Sequence, residues 1–459
     1  MSAPTFQIDP PARRDPTGWV FLTVLFLMVI SLSIATSFMR SGNDKEYTAQ
    51  ESAVHVAMKA DSLTKKSLFK EEAIKAALVK IEPDRHVKPF AAAFYAVMQF
   101  EEHNPISASD LAPLNSPPTA SDTVQLAMRP KYSAIAEIYG SKALTVRRAD
   151  ELMKVLSDDR FLVRMMRAHA LEKSGRAKPT LVDTNEGLLF AIAGAAIPVI
   201  IFFGMSLWGL YFYLRSKGKF SPLGHPVGML SRFDSDRFAL RGAQFFGAFI
   251  SVSLIVQIVF SFAGKGLSSE VLNVIATIST LGAFLLIARL KVLGAPISLS
   301  DIGISKENLP KNVIWGICGS LALVPVLFTV VLITSPLFKG FPDPDHPLTT
   351  LLRHKQDLAT LLPAIFLASI MAPLTEEILF RGTLLPALSS AFKSVPKGIL
   401  TTSFLFAAIH PQGIPAWVGL ATIGAMLSLL TYQTKSLVPA MVMHAMHNFG
   451  TLVFALVFM

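Results

Sequence analysis

Residues 358–388 read LATLLPAIFLASIMAPLTEEILFRGTLLPAL. The stretch is apolar and longer than the roughly 20 residues that cross a bilayer core. Pro363 and Pro373 predict a bend or break in it. Glu376, Glu377 and Arg381 stand in its middle. Ionisable groups at membrane depth are costly and mark functional sites, so this one run argues both for a membrane fold and for chemistry inside it.

The rest of the chain fits a membrane protein. Of its 459 residues, 52% are hydrophobic and 16% charged, where a soluble protein carries about a quarter charged. Mean hydropathy is +0.49. The further apolar runs are Trp19–Phe38, Leu188–Leu214, Ala243–Ala263, Val271–Ala288, Val313–Ser335, Ile399–His410, Trp417–Thr431 and Leu437–Met459. The first, after Arg13 and Arg14, reads as an uncleaved anchor, with a cleaved signal peptide as the rival because Ala35 and Ser37 are small. Residues 41–187 hold no such run. They show helical spacing over Glu71–Ile81, Pro89–Glu101 and Ala149–Glu172, with a Pro- and Ser-rich loop over Asn104–Asp122. The expected fold is all-α: a polytopic membrane helix bundle of about eight or nine spans, with an inserted soluble helical domain between the first and second. The expected parts are a membrane anchor at 1–40, an extramembrane helical domain at 41–187, N-terminal membrane helices at 188–355 and a catalytic membrane core at 356–459.

Net charge is +10, but outside residues 41–187 the basic residues mostly lie in short segments between apolar runs. That is the positive-inside pattern, not a nucleic-acid surface. Arg13 and Arg14, the loop with Lys217, Lys219, Arg232 and Arg237, the loop with Lys291, Lys306 and Lys311, and the pair Lys393 and Lys397 fall on one side if every run spans once. Residues 41–187 then lie outside the cell membrane; Arg353 and Lys355 run against this orientation. The one cysteine, Cys318, excludes an internal disulfide and a Cys-based metal site.

Two more polar clusters interrupt the C-terminal runs: Phe406 to His410, followed by Pro411, and His444, His447 and Asn448. A helix that stops at mid-depth is tolerated where it lines a protein cavity. At about 1.5 Å rise per residue, Glu376 and His410 each lie roughly 18 Å from the basic loop around Lys393–Lys397. His444 lies roughly 10 Å and Asn448 roughly 16 Å along the last helix from Leu437. The four groups are therefore expected to converge. Glu377 and Arg381 are i, i+4 and pair, which leaves Glu376 free. His444 and Asn448 share a face, and His447 lies off it. A carboxylate and histidines around a water suit hydrolysis: Glu376 as general base, His410 as its partner and proton donor, His444 and Asn448 holding an oxyanion. The alternative is a divalent metal such as zinc on Glu376, His410 and His444.

Glu-Glu-x-x-x-Arg, then Phe-x-x-x-His, then His-x-x-x-Asn, on successive helices, resembles the CAAX-protease and bacteriocin-processing family, and within it the type II CAAX prenyl endopeptidases. The resemblance covers residues 355–459 and leaves the 41–187 domain outside. It implies water activation by Glu376 and His410, transition-state stabilisation by His444 and Asn448, and either a metal-dependent or a glutamate mechanism. The expected function is an intramembrane endopeptidase acting on a membrane-associated protein or peptide, with membrane lipid around it and 41–187 binding a partner. The rival readings are a non-catalytic immunity or interaction protein of the same family, a proton-coupled transporter, and a haem carrier with His410 and His444 as axial ligands.

Overall fold

The computed structural model describes residues 16–39, 48–64, 67–115, 123–157, 161–220, 235–263, 269–289, 299–304, 307–338, 358–410 and 412–458. Among these there is no strand. Arg13, Arg14, Arg232, Lys291, Lys306, Arg353, Lys355 and Pro411 lie outside the described residues. The chain forms two compact units. One takes residues 1–40, 197–348 and 356–452, the other 41–196, 349–355 and 453–459.

The helices, in chain order, begin with α1 (Thr17–Met39), α2 (Thr48–Thr64), α3 (Leu68–Ile81), α4 (Pro89–Glu101), α5 (Ala108–Asn115), α6 (Thr123–Gly140), α7 (Val146–Val155) and α8 (Phe161–Lys173). Helices α2 to α8 build the second unit around α4. Pro89 opens α4, where a missing N–H costs nothing. Every residue from Ala91 to Met98 is buried, and four of them are alanines, which lets neighbouring helices approach closely. Two expectations are corrected here. The Asn104–Asp122 stretch is not all loop, because α5 forms within it. Its start is a capping box: the Ser107 backbone N–H donates to Asp110 Oδ2 at 2.9 Å and the Asp110 N–H to Ser107 Oγ at 3.3 Å. Leu111 and Leu114 then bury against the core. The Ala149–Glu172 stretch is two helices, with Leu156 closing α7.

A buried ionic cluster ties this unit together. Glu101 takes hydrogen bonds from Lys178 at 2.7 Å and Lys70 at 3.3 Å, and pairs with His169 Nε2 at 2.8 Å. His169 Nδ1 meets the Tyr139 hydroxyl at 2.8 Å. Burial pushes the Glu101 carboxyl up, but the hydrogen bonds from His169 and Lys178 outweigh it and hold the group well below the usual carboxylate range. Burial pushes the His169 imidazole down, against the hydrogen bond to Glu101. Both shifts have one sign for stability. Below about pH 6.5 the unfolded chain protonates this histidine before the native state does, and below about pH 4.3 it protonates the carboxyl first. Native protection of α4 in hydrogen exchange, corrected for intrinsic rate, is therefore expected to fall as pH drops through these values. Glu101→Gln should remove the lower step; an unchanged lower step in that variant would exclude Glu101 as its source.

The first unit contains α1, α10 (Ser235–Ala263), α11 (Ser269–Arg289), α12 (Leu309–Thr334), the helical stretch α13 (358–391), α14 (Val395–Ala408), α15 (Ile414–Thr434) and most of α16 (Val438–Phe458). The long α9 (Thr184–Ser216) begins in the second unit and ends in the first. Among the described residues, six helices are long and apolar enough to cross a membrane: Thr17–Ile34, Thr184–Ser216, Ser235–Phe260, Leu309–Phe338, Leu361–Ala391 and Ile414–Thr434. Val271–Leu286 and Val395–Ala408 are shorter apolar helices. The protein is a multi-pass, all-helical membrane protein.

The prolines of α13 do not break it. Instead the helix widens into π-helical segments at Leu367–Met371 and Ile378–Leu384. Such segments absorb an interrupted hydrogen-bond ladder and occur often at functional sites. Helix α1 packs into the same core. Phe26 meets Phe246 and Phe380, and at Gly18 a Cβ would stand 2.4 Å from the Leu240 backbone nitrogen, so only glycine permits this contact with α10.

Candidate active site

The first unit brings α13, α14 and α16 together around Glu376. Its Oε2 lies 3.8 Å from His410 Nε2 and 3.9 Å from His444 Nε2. The other nitrogen of each ring is already committed. His410 Nδ1 bonds the Phe406 carbonyl one turn back on α14, and His444 Nδ1 bonds Glu377 Oε1 at 2.8 Å. A carbonyl and a carboxylate only accept, so both imidazoles carry their proton on Nδ1. Both Nε2 lone pairs therefore face Glu376 Oε2, which is buried and has no hydrogen-bond partner. Three acceptors converge with no donor among them. The space between them suits a molecule that can donate to more than one acceptor, which is what a water does.

The same three side chains are the donor set that would hold a divalent cation, which would supply Lewis-acid activation of that water. As placed, however, no group of three or more His, Cys, Asp or Glu side chains among the described residues is arranged to hold a metal ion. The haem reading fares worse. The Nε2 atoms that would bind iron are both turned toward a carboxylate at 3.8 and 3.9 Å rather than onto a porphyrin face.

Glu377 and Arg381 pair as their spacing predicts, at 3.0 Å, and both are fully buried. The pairing is one part of a larger network. Glu377 Oε1 accepts from Arg381 Nη1 and from His444 Nδ1 at once. Arg381 Nη2 donates to the Gly424 carbonyl of α15 at 3.0 Å, and its guanidinium lies 4.6 Å from the centre of the Phe406 ring. Gly424 makes this approach possible, since a Cβ there would stand 3.0 Å from Ser403 Cα. The Phe406 ring in turn packs against His410 at a tilt of 56° and meets His444 edge-on. One residue of the second motif thus packs against the charged pair of the first and the histidine of the third.

Asn448 is placed differently from its expected position over a developing oxyanion. Its Nδ2 donates to the Ala368 carbonyl at 2.8 Å. The reason lies in the first π segment. There the Ala372 N–H reaches back five residues to Leu367 O. In the same register Ala368 O would take its bond from residue 373, but Pro373 has no N–H. Asn448 satisfies the orphaned carbonyl, which in lipid would be costly. His447 has the next carbonyl-side role in α16, accepting from Thr451 Oγ1.

Ser33 was not a candidate from sequence. It lies on α1, is 5% exposed, and its hydroxyl donates to the His410 carbonyl at 3.0 Å. That carbonyl sits two residues beyond the end of α14 at Ala408. The Trp19–Phe38 run also holds Ser31, Ser37, Thr23 and Thr36, so nothing in its sequence singles out Ser33.

Residues 358–450 match the family described as type II CAAX prenyl endopeptidase Rce1-like. No curated protein and no solved structure matches the chain. The matched stretch contains all three motifs, from Glu376 to Asn448, so the C-terminal membrane region of this chain is similar to the type II CAAX prenyl endopeptidases.

Proposed function

We propose that the protein is an intramembrane endopeptidase in which Glu376 activates a water for attack on a peptide bond of a membrane-associated protein or peptide. The observation that carries this reading is the convergence of Glu376 Oε2 with the two Nε2 atoms at 3.8 and 3.9 Å. A water between them donates to Glu376 and to one imidazole, which leaves a lone pair for the carbonyl carbon. As the C–O bond forms, Glu376 takes the water proton. His410, next to Glu376, then relays that proton to the leaving amine. His444, held by Glu377, accepts the water's second hydrogen bond through Nε2 and takes that remaining proton as the intermediate collapses, so that the products leave as an amine and a carboxylate. Asn448 is a positioning residue in this scheme, since it holds the π segment that precedes Glu376.

Residues 41–187 are assigned to the outside of the cell membrane, on the strength of the basic residues Lys217, Lys219, Lys393 and Lys397 that mark the inner side, and binding of a partner or substrate is proposed for them. The test of the function is comparative proteomics of membranes with and without the intact protein, looking for new N-termini. Cleaved products absent from membranes that lack the protein support the reading. No difference, together with no cleavage of any membrane peptide by the purified protein, would favour the immunity or interaction role.

The contact from α1 gives a narrower expectation. Ser33→Ala removes the donor to the His410 carbonyl and is expected to lower turnover several-fold with little change in KM, while Ser33→Thr restores it. A full-activity Ser33→Ala protein would detach α1 from the site.

A further inference from the structure

A groove of about 210 Å³ opens between α9, α12 and α15, away from Glu376. Its wall is apolar, formed by residues such as Leu207, Ile314, Cys318, Ala322 and Leu430. Met443, the neighbour of His444, also lines it. Helices α9 and α12 run antiparallel along it. Trp208 Nε1 donates to the Ala322 carbonyl at 2.9 Å, and further toward the mouth the Phe220 and Trp315 rings stand 5.8 Å apart. The C-terminal end of α9 and the N-terminal end of α12 therefore lie at one level, and the C-terminal residues Gln433 and Thr434 of α15 join them in the lining.

That level has the makeup of a membrane interface. Trp208, Tyr211, Phe220 and Trp315 form a linked aromatic collar, the composition found where hydrocarbon meets headgroups. Just beyond it the charge is basic. Arg215, one turn past Tyr211, donates to the Tyr211 hydroxyl at 3.1 Å, which fixes the guanidinium at the rim. Lys311 lies one turn before Trp315 on the same face of α12 and is exposed. Lys217 and Lys219 follow Arg215 and are exposed as well. Among the described residues none of these four cations forms a salt bridge, and the only acid close to them in sequence is Glu307.

We propose that this groove binds an anionic phospholipid, with part of one acyl chain between α9, α12 and α15 and the phosphate at Arg215 and Lys311. An apolar slot alone would take any lipid tail. The fixed guanidinium and the unpaired lysine at its mouth select a negative headgroup, because basic residues at the interface attract anionic lipid. A zwitterionic lipid presents the same phosphate but adds an ammonium that these cations repel, so it gains less.

The experiment uses the full-length protein, purified, stripped of lipid and given phosphatidylglycerol or phosphatidylcholine of matched chains, with retained lipid counted by native mass spectrometry. Wild type is expected to retain phosphatidylglycerol at least tenfold better. Arg215→Gln with Lys311→Gln should abolish the preference, and Arg215→Lys with Lys311→Arg should keep most of it, which separates charge from damage to the fold. Cys318→Phe, which fills the slot, should reduce retention of both lipids. Equal retention of the two lipids by wild type, or a preference that survives loss of both charges, would overturn the proposal. Displacement of phosphatidylglycerol by a farnesylated cysteine methyl ester would overturn it too, since the slot would then belong to an isoprenoid tail.

Discussion

Glu376→Gln is expected to reduce cleavage by about a thousandfold, within the range by which a positioned general base accelerates a reaction, while the protein inserts and melts as wild type does. The substitution keeps the size of the side chain and removes only its capacity to take a proton. Glu376 is suited to so clean a test because it carries no structural load: its Oε2 has no hydrogen-bond partner, and its contacts to His410 and His444 are at 3.8 and 3.9 Å, too long for direct hydrogen bonds. Its neighbour Glu377 has another task, since its Oε1 holds Arg381 and His444 at hydrogen-bond distance and the residue is fully buried. Turnover of a reporter peptide in proteoliposomes, measured beside the melting curve of each protein, makes the comparison. Full turnover in Glu376→Gln would remove this carboxylate from the mechanism. A large fall in melting temperature would mean that it supports the fold instead.

Much of the arrangement around Glu376 follows from counting. Helical rise places Glu376 and His410 at similar depth because both are read from the Lys393–Lys397 turn, and α13 and α14 do meet across that turn. What rise and periodicity do not contain is register between distant helices and departures from 3.6 residues per turn. The spacing of Glu377 and Arg381 reveals their pairing, but nothing local reveals that His444, 67 residues on, takes the same oxygen. Asn448 shares a face with His444 in projection, yet its partner is set by Pro373 through a π turn that hydrophobic periodicity cannot register. Ser33 belongs to a helix whose position beside α14 is a purely tertiary fact. In α5 the failure was of another kind: Pro and Ser content outweighed the capping box from Ser107 to Asp110, which was present in the sequence to be read.

The double role of Glu377 leads to the second large effect. Glu377→Leu leaves Arg381 charged, fully buried and, among the described residues, with the Gly424 carbonyl as its remaining hydrogen-bond acceptor beside the Phe406 ring, and breaking one side of such a buried pair costs about 3–5 kcal/mol. Arg381→Met strands the Glu377 carboxylate in the same way, with His444 Nδ1 as its remaining donor. Each single variant is therefore expected to lose both stability and activity. Combining Glu377→Leu with Arg381→Met replaces the pair by apolar side chains, a change that is often neutral or stabilising, so the melting temperature should recover most of its loss. Activity should not follow. The carboxylate that keeps the proton on His444 Nδ1 is still missing and the Nε2 lone pair is no longer held toward Glu376; loss of an orienting carboxylate costs about 10–100-fold where the histidine is a metal ligand, and a loss of at least that order is expected here. A stable but inactive double variant separates the two roles of Glu377 in one measurement. If activity returned together with stability, the bond between Glu377 and His444 would be incidental, and orientation of that ring would have to come from Phe406 and the surrounding packing alone.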